Sequence, residues 1–174
     1  MRRTLILFYL LISIVGYSQK KDNFLLTTYS NKDFEISYPK KWNLDTILHY
    51  PDIQINNSDS HQGRCLDIIS IFSQTIPSQY DNFDNFVNDC ETQVKEIAYD
   101  NIINQKLVVQ NNRTKYFKMI YYSDQGNTCN KIEQRYYLTK HKIFVITITT
   151  DSEIFDSVIN IEEKVMDSFI LKVQ

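Results

Sequence analysis

The residues able to do chemistry in this chain are few and scattered. Three histidines occur, His49, His61 and His141. His61 stands near Asp59 and Cys65, and imidazole, carboxylate and thiolate are all zinc ligands. Yet no Cys-x-x-Cys or His-x-x-x-His spacing accompanies them, so solvated loop residues are the better reading of Asp59 and His61. His141 lies between two lysines in a turn. Of the three cysteines, Cys90 falls on an apolar helical stripe and is expected to be a buried free thiol. Cys65 and Cys129 each begin a strand, and they are candidates for a disulfide if those strands are neighbours. A nucleophilic role for either lacks an identifiable base. Gly-x-Ser-x-Gly, His-Glu-x-x-His and a Ser-x-x-Lys in context are absent. The acids are dispersed, and the pair Glu162-Glu163 is expected on a solvated helix surface. No residue is assigned to catalysis, to a cofactor or to a metal.

The tyrosines are more informative. Tyr116, Tyr121, Tyr122, Tyr136 and Tyr137 fall on adjacent expected strands, and neighbouring residues in a strand point to opposite faces. One of each adjacent pair should pack under a helix. The other should be exposed beside Lys118, Lys131 or Arg135. Tyr122, Tyr137, Lys131 and Arg135 therefore form a candidate interaction surface, suited to a protein or a glycan. Ordinary cross-strand packing is nonetheless the better reading of these tyrosines.

The elements that position these residues follow from pattern. Asp33 to Asp45 holds the only tryptophan, Trp42. Phe34, Ile36 and Tyr38 alternate with polar residues in a strand that starts the sheet and that Pro39 ends, and Trp42 folds back as an apolar plug that seals the core. A first strand is expected at 24–28, a short one around Ile53 and Ile55, and one at 65–73 with apolar residues on both sides. Phe83, Phe86, Val87, Cys90, Val94 and Ile97 recur at helical spacing, predicting a helix over 79–98 that Ser78 and Asp81 cap. Strands are expected at 102–110, 114–123, 128–139 and 143–149. Short turns between them give an antiparallel meander. A final helix, capped by Asp151 or Ser152, carries Ile154, Val158, Ile161, Val165 and Phe169. The tail Ser168-Phe169-Ile170-Leu171 tucks under the sheet.

Arg2 and Arg3, an apolar run from Leu5 to Val15 and Gly16-Tyr17-Ser18 have the layout of a secretory signal peptide. The run is short for a membrane span, which needs about 20 residues. An uncleaved anchor is the alternative. The tripeptide before Gln19 resembles export cleavage sites of Bacteroidetes-type bacteria. Residues 19–174 then form one domain, exported to the periplasm or the extracellular space, with no transmembrane segment after cleavage. Hydrophobic residues make up 43% of the chain, enough for a sizeable core. Removal of Arg2 and Arg3 with the leader leaves 17 basic against 21 acidic residues, a net charge near −4. With no basic run beyond Lys20-Lys21 and Lys40-Lys41, binding to nucleic acid is not expected.

The stretch Phe34-Glu35-Ile36-Ser37-Tyr38-Pro39-Lys40-Lys41-Trp42, with Arg135-Tyr136-Tyr137, the strand at 143–149 and Asp167-Ser168-Phe169, resembles the PsbP-like superfamily. That group includes the Mog-type Ran-binding proteins and many exported bacterial proteins. The resemblance implies an α-β-α sandwich, in agreement with the α+β reading from periodicity: an antiparallel sheet of about six or more strands flanked by two main helices. It also implies a bias toward binding, and it carries no functional residue over. Photosystem-associated members help hold calcium and chloride, and no pattern here matches that role. The expectation is a non-enzymatic exported binding module for a protein or small ligand. The alternatives are an exported hydrolase with an unrecognised site, or a structural subunit of an envelope complex.

Overall fold

The computed structural model describes residues 25–47, 51–57, 68–76, 82–98, 102–110, 114–124, 129–151 and 155–172. The leader at 1–18, His49, Asp59, His61, Cys65 and the expected caps at Ser78, Asp81 and Ser152 lie outside these residues.

The elements run β1 (Leu26–Ser30), β2 (Phe34–Pro39), β3 (Asn43–Asp45), β4 (Ile53–Asn56), β5 (Ile68–Thr75), α1 (Phe83–Ala98), β6 (Ile102–Gln110), β7 (Thr114–Asp124), β8 (Cys129–Leu138), β9 (Lys142–Asp151), α2 (Phe155–Asp167) and β10 (Ile170–Leu171). All pairings are antiparallel. The alternation that predicted the four-strand meander β6–β9 is realised with bounds shifted by a residue or two. Asp151, an expected helix cap, is instead the last residue of β9. At α1, Asn82 does the capping: its side-chain oxygen accepts a 2.9 Å hydrogen bond from Asn85 N, and its carbonyl accepts one from Phe86 N at 3.3 Å.

The strands divide into two sheets. A seven-stranded sheet has the order β3-β4-β5-β9-β8-β7-β6, and a three-stranded sheet has the order β1-β2-β10. The segment around Phe34 to Trp42 therefore does not start the main sheet; it faces it. Phe34, Ile36, Tyr38 and Trp42 pack with Ile53, Ile55, Ile69, Ile71, Phe144, Ile146 and Ile148 of the large sheet and with Val165, Met166 and Phe169 from α2 and its end. Each fully buried Ile or Phe contributes about 1.5–3 kcal/mol, so this cluster is the main core. A second cluster lies on the opposite face, where Phe86, Cys90 and Val94 of α1 meet Phe117, Met119, Tyr121, Tyr136 and Ile143. The result is the expected α+β sandwich, with the second layer of helix supplemented by the small sheet.

Local contacts hold the small sheet in place. Asn31 Oδ1 accepts hydrogen bonds from Asp33 N and Phe34 N, each at 2.9 Å, and so builds the β1–β2 turn. Lys142 of β9 reaches Asp33 at 2.6 Å. Ser37 N donates to Ser168 Oγ at 2.8 Å, and that hydroxyl donates to Val165 O at 2.5 Å, stitching β2 to the end of α2. The tail is not merely tucked: Ile170 and Leu171 pair with Glu35 and Phe34 as a third strand.

Candidate functional site

On the α1 face, register decides what is presented. Ser70 of β5 pairs with Thr147 of β9, and Thr147 with Gln134 of β8, so one row across three strands is polar. The next row is Phe72, Val145 and Tyr136, which is apolar except for the phenol. Two residues along a strand separate the rows, about 6.6 Å at roughly 3.3 Å per residue. Helix α1 supplies the facing wall with Phe86, Cys90, Gln93 and Val94. A helix is about 10–12 Å wide and strands are about 4.8 Å apart, so one helix covers only about two strands. Its buried stripe packs on β7 and β8. Beyond it a groove of about 650 Å³ opens over β9 and β5, with Gln74 and Pro51 at the margin.

The groove floor is hydrogen-bonded internally. Tyr136 Oη donates to Gln134 Oε1, and Gln134 Nε2 donates to Thr147 Oγ1 at 3.2 Å. Phe86 stands edge-on to Tyr136 with ring centroids 6.2 Å apart. Among the described residues that line the groove, three can titrate: Cys90, Tyr121 and Tyr136. Burial pushes the Cys90 thiol up to about 12, with Asp89 adding to the effect. Burial likewise raises Tyr121 to about 12 and Tyr136 further still. All three are neutral at neutral pH, so the described residues of the wall offer hydrogen bonds and apolar surface but neither thiolate nor carboxylate.

The other face carries a buried charge network that the sequence reading missed. Glu133 of β8 is 0% exposed. Its carboxylate lies 2.7 Å from Lys118 Nζ and 2.9 Å from Arg135 Nε. Arg135 reaches Asp167 of α2 at 2.5 Å, and Lys118 reaches Glu163 at 3.5 Å. The Arg135 guanidinium also sits 5.2 Å from the centre of the Tyr116 ring. Desolvation works against its charge, but Glu133 and Asp167 outweigh this and hold Arg135 above its ordinary value. The network bolts α2 to β7 and β8.

This placement corrects the candidate interaction surface. Tyr122, Lys131, Arg135 and Tyr137 do share one face, because Tyr122 pairs with Lys131 and both lie in phase with Arg135 and Tyr137. That face runs under α2, however. Arg135 is 2% exposed and Tyr137 0%, packed against Tyr116 and Phe169 at 5.0 Å between ring centroids. Tyr122, 38% exposed, and the half-buried Lys131 lie further along the strands. Both members of the Tyr136–Tyr137 pair are buried because both faces of β8 are covered. Glu162 is also buried, at 1% exposure, rather than solvated. Cys90 is a buried free thiol. Cys129 opens β8 opposite Asp124, and its candidate partner Cys65 lies outside the described residues. His141 is exposed in the β8–β9 turn, where its carbonyl accepts from Ile76 N at 3.2 Å. Among the described residues no three His, Cys, Asp or Glu side chains are grouped as metal ligands would be. No helix among them is long and apolar enough to cross a membrane.

No protein-family model and no curated protein matches the sequence. Solved structures do match the fold. Cyanobacterial PsbP (CyanoP) from Synechocystis sp. PCC 6803 is similar at a TM-score of 0.61 and 16% identity, over 91% of this chain and 99% of that one. LpqN of Mycobacterium tuberculosis, a protein involved in cell envelope biogenesis, is similar at 0.66 and 6% identity over 88% of each chain. A Bacteroides thetaiotaomicron VPI-5482 protein is similar at 0.53 and 12% identity, over 81% of this chain and 46% of that one. The chain has a PsbP-like fold. At these identities the likeness carries the architecture and no function.

Proposed function

We propose that this protein is a non-enzymatic, exported binding module that holds a small ligand in the groove between α1 and the large sheet. The observation that carries this reading is the groove itself: about 650 Å³, within the range of about 300–1,000 Å³ typical of small-ligand sites. Its walls combine apolar side chains with a few converging neutral polar groups. Acid–base or nucleophilic chemistry needs a group that titrates near neutral pH, and burial holds the three titratable lining residues protonated. The buried charges are instead committed to holding α2. Export is supported by the layout of residues 1–18 and, indirectly, by the envelope role of the similar LpqN.

The test is native mass spectrometry of the full chain, recovered from an export-competent host and exposed to small-molecule envelope extract. Ser70→Trp fills the groove from a half-buried position without touching the main core. Retention of a small molecule by the wild type and its loss in Ser70→Trp is the expected result. Equal retention, or none in either protein, contradicts the proposal.

A further inference from the structure

The lining of the groove also restricts what it can hold. We infer that the ligand is a neutral saccharide, bound with its hydroxyl edge along the row Ser70–Thr147–Gln134, its C–H face against Phe72 and Val145, and its outer hydroxyls on Gln74 and Gln93. This deepens the proposed binding role and rests on it.

The first argument is charge. Neither a carboxylate nor a cationic side chain lines the groove among the described residues. An ionic ligand would leave water without a counter-charge, which is costly in a partly buried site. A neutral ligand incurs no such loss.

The second argument is the adjacency of the two rows. A purely apolar ligand, such as an acyl chain, would lie across Ser70, Thr147 and Gln134 and strip water from groups it cannot satisfy, at a cost for each. A pyranose ring divides the same way the floor does. Its equatorial hydroxyls donate and accept in one plane, and its axial C–H groups present an apolar face.

The third argument is unspent hydrogen-bonding capacity. Gln134 Nε2 has two N–H groups, of which one goes to Thr147, and Gln134 Oε1 takes the Tyr136 proton. That leaves one amide N–H, the Thr147 hydroxyl proton and Ser70 for a ligand. Gln74 and Gln93 are exposed at the two sides of the groove. Each is able to donate and accept, as a polyhydroxyl ligand requires.

The test uses methyl- and amide-detected NMR of the full chain. Maltose, cellobiose and N,N′-diacetylchitobiose are titrated separately, alongside the apolar probe N-phenyl-1-naphthylamine and a blocked neutral peptide, acetyl-Gly-Ser-Gly-Ser-amide. At least one disaccharide is expected to shift the Gln134, Val145 and Val94 signals saturably. The double variant Gln74→Ala/Gln93→Ala, altered only at exposed positions, is expected to weaken that disaccharide about tenfold, as loss of one or two net hydrogen bonds implies. An unchanged affinity in that variant overturns the pose. If only the naphthylamine or only the peptide shifts the groove signals, the saccharide is overturned and the groove stands as a site for another class. If nothing shifts them, the saccharide is overturned, and retention from the envelope extract decides the binding role separately.

Discussion

Neutralising Glu133 should destabilise the fold more than any other single loss of charge in the α2 network. The structure sets the magnitude. Glu133 is fully buried and serves two cations at once, Lys118 at 2.7 Å and Arg135 at 2.9 Å. In Glu133→Gln both cations stay in place with weaker partners. Among the described residues Lys118 keeps Glu163, whose side chain is 44% exposed and 3.5 Å away. Arg135 keeps Asp167, 60% exposed. Breaking a buried pair typically costs about 3–5 kcal/mol, and the residual partners place this case near the lower end, about 3 kcal/mol. For a chain of this size that is roughly 6–12 °C in Tm. Asp167→Asn removes a mostly exposed partner and should cost no more than about 1 kcal/mol. Urea unfolding followed by the fluorescence of Trp42, the only tryptophan, reports both. A third protein separates pairing from mere burial: Lys118→Met/Glu133→Leu/Arg135→Met removes all three charges and should recover most of the loss. A Glu133→Gln cost below about 1 kcal/mol, or one equal to that of Asp167→Asn, refutes the reasoning.

Three further outcomes follow from other contacts. Cys90 is raised from its ordinary thiol value to about 12 and Tyr121 from its ordinary phenol value to about 12. The unfolded chain therefore releases these protons first as pH rises. Stability is full below about pH 9 and falls between there and pH 12, so the urea midpoint should drop steadily above pH 9. In Cys90→Ala the fall should begin later. The thiol should resist a disulfide reagent at pH 8 until the protein is unfolded. Ser168→Ala removes the hydroxyl that accepts from Ser37 N and should cost about 1–2 kcal/mol. It should also speed amide exchange at Ser37, which chain-wide loss of stability alone would not localise.

The meander was legible because Phe117, Met119 and Tyr121, or Phe144, Ile146 and Ile148, alternate strictly between turn signals. Helix α1 was legible from Phe86, Cys90 and Val94. Separation into two sheets was not, because it depends on Ile170 pairing with Glu35 across more than a hundred residues. Lys118 and Arg135 read as surface residues, and Glu133 went unremarked, for a physical reason. A charge is normally exposed, and only the register of β7 on β8 shows that these three compensate one another beneath α2. The groove was hidden in the same way. Ser70, Gln134 and Thr147 belong to three separate strands, and each alone is an unremarkable polar residue. No pattern set them apart, because Gln74 on β5 and Thr149 on β9 share that face and are polar too.

The central claim is that the α1 groove binds a small ligand. The most direct measurement is ¹³C-methyl NMR of the full chain against fractionated envelope small molecules. The account predicts saturable shifts at Val94, Ile143 and Val145, which line the groove, with Ile146 and Ile148 on the opposite face unmoved. Shifts confined to that opposite face, or none at any fraction, would contradict it.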